Sequence, residues 1–173
     1  ALGARRPDLT IVVRTSTPRW LFDRTARVPL TLVPGECDTG VVQIDSLRIN
    51  EEETVRQAAR FMADLPELTT FEAEALRAVG ADLVLADIPA LGIAAAHAAG
   101  LRAVALGNFT WDWIYAAYPG GADVARRVGD AYATADLALR LPLWGGFETF
   151  TRIEDLPFIA RRSRRDPVEV RQA

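Results

Sequence analysis

The segment from Ala81 to Phe109, "ADLVLADIPALGIAAAHAAGLRAVALGNF", constrains the fold more than any other part of the chain. Two apolar runs of strand length, 81–87 and 101–109, flank an alanine-rich stretch over 89–99 that Gly100 terminates, which reads strand, helix, strand. Neither run alternates polar with apolar residues, and the helix is apolar on most sides. That pattern belongs to a parallel sheet covered on both faces. Crossovers between parallel strands are almost always right-handed, so the carboxyl ends, at Asp87 and at Gly107-Asn108, emerge on the same edge of the sheet.

The flanking sequence continues the alternation. "LTIVVRTS" (9–16) reads as a buried strand after the Pro7-Asp8 turn signal, and "VPLTLVPG" and "VVQIDSL" are shorter strand candidates around the turn-rich "PGECDTG". Asn50 followed by Glu51, Glu52 and Glu53 marks a helix start. Val55, Ala58, Ala59, Met62 and Leu65 lie on its inner face. Pro66 is a breaker, so the stretch to Gly80 is read as two helices or one kinked one. "WDWIYAAY" and "ADVARRVGDAYATA" are further helices, and "ADLALRLPL" (135–143) is another strand. The expected fold is α/β, with an open, mostly parallel, Rossmann-like sheet flanked by helices. Residues 1–159 form this domain, and 160–173, with the cluster Arg161, Arg162, Arg164 and Arg165, form a solvated interdomain linker. The opening "ALGARRPD" reads as the end of a helix and a loop, which implies a strand upstream of it.

At 173 residues, half of them hydrophobic, the chain has enough material for one sizeable core. The net charge of −3 supplies no basic field for nucleic acid. All 20 basic residues are arginines, which excludes a Schiff-base or phosphate-binding lysine within these residues. Cys37 is the single cysteine, so no internal disulfide or thiolate zinc cluster forms, and a reducing, cytoplasmic setting is expected. No apolar run reaches the ~18 residues of a membrane span. A G-x-G-x-x-G loop after a strand, a Walker phosphate loop and a G-x-S-x-G elbow are all missing from the sequence.

Ligands of open α/β sheets bind outside the carboxyl ends of the strands. That rule nominates Thr15, Ser16 and Thr17, then Asp87, then Asn108 to Asp112. Asp87 either accepts a proton or a substrate hydroxyl, or caps the helix that starts at Pro89. In "GNFTWDWIY", Asn108 or Thr110 caps the next helix and Asp112 sits in its first turn. Trp111, Ile114, Tyr115 and Tyr118 share one helical face and read as core, whereas Trp113 lies off that stripe and is at least as good a candidate as Trp111 to face a ligand or partner domain. An aromatic plate beside a carboxylate and an amide is a common way to hold a sugar ring. His97 between alanines and Cys37 in its loop read as structural or surface residues.

The stretches "ADLVLADIPALGIAAAHAAGLRAVALGNFTWDWIYAAY", "GECDTGVVQIDSLRIN" and "LRLPLWGGFETFTRIEDLPFIARRSRRDPVEVRQA" resemble the N-terminal glycosyltransferase-like region of L-arabinokinases and of stand-alone bacterial proteins, a branch of the two-domain GT-B glycosyltransferases. "NFTWDWIY" is the most specific piece. The resemblance implies a nucleotide-sugar-dependent transferase in which this chain supplies the half of the cleft that binds a sugar or glycosylated small-molecule acceptor. A C-terminal domain of the same polypeptide would hold the nucleotide-sugar donor, which is a substrate and not a cofactor, and no metal is required. The substrate-binding candidates are then Ser16, Asp87, Asn108, Trp111, Asp112 and Trp113, with Asp87 and Asp112 the acids nearest the acceptor. The G-H-G-x-G-H motif expected in the first strand-to-helix loop, where related transferases often carry their base, does not occur here and is expected upstream of Ala1. The alternatives are a non-catalytic sugar-binding or regulatory module with the same fold, and an assembly partner that docks through the aromatic helix.

Overall fold

The computed structural model describes residues 5–26, 28–160 and 166–172. Its elements follow the order β1 (Val12–Thr15), α1 (Arg19–Thr25), β2 (Thr31–Pro34), α2 (Glu51–Ala78), β3 (Leu83–Ala86), α3 (Ala90–Ala99), β4 (Arg102–Phe109), α4 (Trp111–Ala116), α5 (Ala122–Tyr132), β5 (Leu137–Gly145), β6 (Ile153–Asp155) and α6 (Pro167–Gln172). Strands β3-β4-β5-β6 form one sheet in that spatial order and β1-β2 form another; every pairing is parallel. This is the expected α/β architecture. The 161–165 part of the expected linker, which contains the arginine cluster, lies outside the described residues.

Register decides which side chains meet the helices. Val84 pairs with Ala103, Ala86 with Ala105, Ala105 with Ala138, and Ala138 with Ile153, so all of these share one face. Alanines dominate it, and their small side chains let α3 lie close to the strands. Ile93 on α3 is completely buried there. Burying such a side chain contributes about 1.5–3 kcal/mol. The opposite face carries Leu83, Leu85, Val104, Leu106, Leu137 and Leu139. Leu83 and Leu85 are more than half exposed, and the other four are half-buried. Cover on both faces, expected from the unbroken apolar strands, is therefore seen on one face among the described residues.

Helix boundaries follow local chemistry. Asn50 accepts the Glu53 amide at 3.0 Å and caps α2 above three first-turn glutamates. Gly100, at φ 74°, closes α3 in the left-handed conformation that glycine adopts without strain. Pro66 does not break α2, which runs unbroken for 28 residues. A proline there leaves the Met62 carbonyl without its helical donor. The Arg127 guanidinium of α5 takes that place and donates to the Met62 oxygen. "VVQIDSL" forms no strand and shows a single antiparallel bridge, Gln43 to Ile49. Among the described residues no helix is long and apolar enough to cross a membrane.

The Arg127 contact generates a coupling test. Arg127→Met should destabilise the protein by about 1–3 kcal/mol, the cost of leaving a buried carbonyl unpaired. In a Pro66→Ala background the restored amide serves Met62, and the same substitution should cost less than half as much in urea unfolding. Equal costs in the two backgrounds would show that Arg127 acts by packing alone.

Candidate functional site

Because β3, β4 and β5 run parallel, the loops that follow them gather at one edge of the sheet. Backbone strain collects in the same loops. Among the described residues the non-glycine positive φ angles belong to Ile88 at 57°, Leu143 at 60° and Phe147 at 84°. Ile88 follows Asp87 after β3, while Leu143 and Phe147 sit at the end of β5 and just past it. Such conformations persist where the surroundings hold them in place, and they concentrate at functional sites.

The strands themselves are deformed at this edge. Gly107 pairs with Arg140, yet Phe109 pairs with Gly145, so β5 carries four residues where β4 carries one. The bulge pushes Leu143 out to 85 % exposure and leaves Trp144 half exposed, with the Arg140 guanidinium 4.0 Å over its ring. Gly145 and Gly146 then make room for Trp113. A Cβ on Gly145 would stand 2.7 Å from the Trp113 ring, and one on Gly146 would stand 2.7 Å from its Cβ. Trp113 thus rests one side of its indole on glycine backbone while half of the residue faces solvent.

The remaining aromatics of α4 face inward, as helical spacing predicts. Tyr115 is buried, and Trp111, Ile114 and Tyr118 pack against the core. Trp111 stacks on Tyr115 with ring centres 5.5 Å apart and meets the Phe109 ring edge-on at 5.1 Å. Both rings are tied to the loop that follows β2. Trp111 Nε1 donates to Asp38 Oδ2 at 3.1 Å, and the Tyr115 hydroxyl donates to the Gly40 carbonyl at 3.2 Å. Burial pushes the Tyr115 phenol up to about 12, so it remains a donor at neutral pH. Asp38, Thr39, Ala90, Trp111 and Tyr115 line a cavity of about 20 Å³. That volume holds one water and no sugar.

Asp38 is the further acid that the structure brings to this edge, and the sequence pattern does not nominate it. The rule that selects Asp87 also covers the loop after β2, but the short strand "TLVP" gives a weak pattern. Burial raises the pKa of Asp38 above the ordinary aspartate value against the opposing Trp111 hydrogen bond, and the charge of Asp87 raises it further. Asp87 is exposed as a residue, yet partial burial of its carboxyl raises its pKa as well. It supplies no side-chain cap to α3, whose N-cap is Pro89. The Asp38 carboxyl, held by the Trp111 indole, thus lies close enough to Asp87 to feel its charge.

The other nominated residues are placed as follows. Asn108 is exposed at the end of β4. Ser16 is exposed in the bend after β1, where the Thr17 amide donates to Thr15 Oγ1 at 3.0 Å. Asp112 is turned inward: Oδ1 accepts the Trp113 amide at 2.9 Å and Oδ2 accepts the Thr149 hydroxyl at 3.1 Å, which pins α4 to the loop after β5. Its carboxylate serves the frame that holds Trp113. Thr110 is the N-cap of α4, but its hydroxyl is buried without a partner and makes no cap hydrogen bond. His97 is exposed in the last turn of α3, at the opposite edge of the sheet. Cys37 is half-buried, and burial raises its thiol pKa above the ordinary value, away from a reactive thiolate. Among the described residues no group of three or more His, Cys, Asp or Glu side chains converges as a metal site would require.

The chain is similar to L-arabinokinase of Arabidopsis thaliana, with 31 % identity over 170 residues. The similarity takes in 92 % of this chain and 16 % of that protein, so the relation is distant and the chain spans a small part of its relative. No protein-family profile matches the chain.

The raised pKa of Asp38 fixes the sign of a pH effect. A carboxyl whose folded pKa lies above its unfolded value of about 3.9 costs stability as pH rises through the folded value, and costs nothing below the unfolded one. Asp38→Asn keeps an acceptor for Trp111 Nε1 and removes the charge. Its Tm should exceed that of the parent at pH 7, and the gap should close as pH falls below about 4. A lower Tm at pH 7 would mean that the ionised carboxylate stabilises the fold.

Proposed function

We propose that this chain forms the acceptor-side half of the cleft of a nucleotide-sugar-dependent glycosyltransferase. The placement of Asp38 and Asp87 in loops that follow strand ends, close enough for the charge of Asp87 to reach Asp38, carries the reading. One of these carboxylates takes the proton of an acceptor hydroxyl. The freed oxygen attacks the anomeric carbon of the donor while the bond to the nucleoside diphosphate breaks, and the diphosphate leaves with the bonding electrons. A base works best when its pKa approaches the working pH, and both carboxyls are shifted in that direction. Asn108 and Trp113 then offer the acceptor an amide and an apolar plate, Trp111 orients Asp38, Asp112 supports Trp113, and Ser16 extends the rim beyond β1. A further domain of the same polypeptide holds the donor.

The L-arabinokinase similarity supports a sugar as the ligand of this edge. Phosphate transfer forms no part of the reading. A second reading is a sugar-binding or regulatory module that has no transferase activity, and it is favoured by the small share, 16 %, that the matched region makes of a protein named for a different reaction. Full-length protein incubated with a panel of nucleotide-sugars and sugar acceptors separates the two. Transfer is expected with at least one donor. Either Asp87→Asn or Asp38→Asn should lower kcat about 10²- to 10⁴-fold, the usual worth of a positioned base. Acceptor binding without transfer from any donor would establish the regulatory module, and absence of both would overturn the sugar-site reading.

A further inference from the structure

Asp87 is followed by the most strained peptide of its loop. Ile88 is 3 % exposed and held at φ 57°, a conformation in which a β-branched residue is an outlier. Two neighbours make the conformation possible. Gly107 on β4 leaves room for it, since a Cβ there would stand 2.7 Å from Ile88 Cγ2. Tyr132, completely buried at the end of α5, donates its hydroxyl to the Ile88 carbonyl at 2.6 Å. The Tyr132 hydroxyl oxygen in turn accepts the Trp111 amide at 3.3 Å. Burial raises the phenol well above its ordinary pKa, so it stays protonated and able to donate.

One hydroxyl therefore ties together the loop that carries Asp87 and the first turn of the helix that carries Trp111, which in turn holds Asp38. We propose that Tyr132 is the positioning residue of this site, keeping the Ile88 peptide left-handed and thereby aiming Asp87 at the space beside Asp38 and Trp111. A single hydrogen bond would satisfy a buried phenol; this one bridges two strand ends and fastens the peptide next to the acid. The inference rests on the acceptor-site reading for what Asp87 does, but not for how it is held.

The test follows the Asp87 carboxyl by ¹³C NMR titration of the full-length protein, with the resonance assigned from Asp87→Asn. In the parent, where burial raises it, it should titrate above the ordinary aspartate value. In Tyr132→Phe the loop relaxes, and Asp87 should move back toward that value while the exposed Asp45 is unchanged. Ile88→Gly adopts a positive φ without help. Against that background Tyr132→Phe should no longer move the Asp87 titration, and the double variant should fold even if Tyr132→Phe alone does not. A folded Tyr132→Phe with an unmoved Asp87 overturns the inference, as does a double variant that fails to fold or still loses the Asp87 shift. No ligand enters the measurement. A shifted Asp87 with undiminished sugar binding would count against the acceptor reading and leave the positioning role standing.

Discussion

The close packing of α3 on an alanine-lined face of β3 and β4 is the constraint on which the rest depends. Ala86, Ala103, Ala105 and Ala138 present almost no bulk, so the helix approaches the strands closely and buries Ile93 completely. That approach fixes a parallel register from β3 through β5. Parallel register, in turn, sends the loops after each strand to the same edge. Enlarging one of these alanines would tilt the helix and shift the relative positions of Asp87 and Asn108 before it touched either residue.

Chain geometry at that edge departs from relaxed structure in a concentrated way. The bulge of β5, the left-handed Ile88, Leu143 and Phe147, and the Gly145-Gly146 seat of Trp113 all lie within the loops that end β3 and β5. Hydrogen bonds hold several of these pieces: Tyr132 holds the Ile88 carbonyl, Asp112, itself bound by Thr149, accepts the Trp113 amide, and Asp38 accepts from the Trp111 indole. The Asp87 carboxyl, the Asn108 amide and the Trp113 indole are left exposed, with the half-buried Asp38 carboxyl behind Trp111. A rigid frame with a few polar groups and an apolar plate on its open side suits a ring that has both hydroxyls and C–H faces.

Much of this was legible in the residues. The strand, helix, strand unit stood out because apolar runs without alternation have few other folds open to them, and Gly100 marked its turn. Helical spacing placed Trp111 and Tyr115 on the inner face and left Trp113 off that stripe. The rest depended on partners distant in sequence. Pro66 reads as a breaker because the donor that replaces its missing amide is Arg127, on another helix. Asp112 reads as a cleft acid because Thr149, which turns it inward, lies 37 residues away. Ile88-Pro89 looks like an ordinary turn, and only the Tyr132 hydrogen bond reveals a strained peptide. Asp38 was hidden by a short strand that carries little periodic signal.

The central claim is that a sugar acceptor sits on the carboxyl edge of the sheets, against Trp113 and beside Asp38 and Asp87. The four tryptophans of the sequence are natural reporters, since Trp111 and Trp113 flank that edge, Trp144 lies on its bulge and Trp20 stands apart on α1. Indole ¹⁵N–¹H spectra of the full-length protein, recorded with a panel of free sugars and simple glycosides, read the location directly. The account predicts that a binding sugar shifts the Trp113 and Trp111 signals in a saturable way and leaves Trp20 in place. Saturable binding that moves Trp20 while Trp111 and Trp113 stay fixed would contradict it.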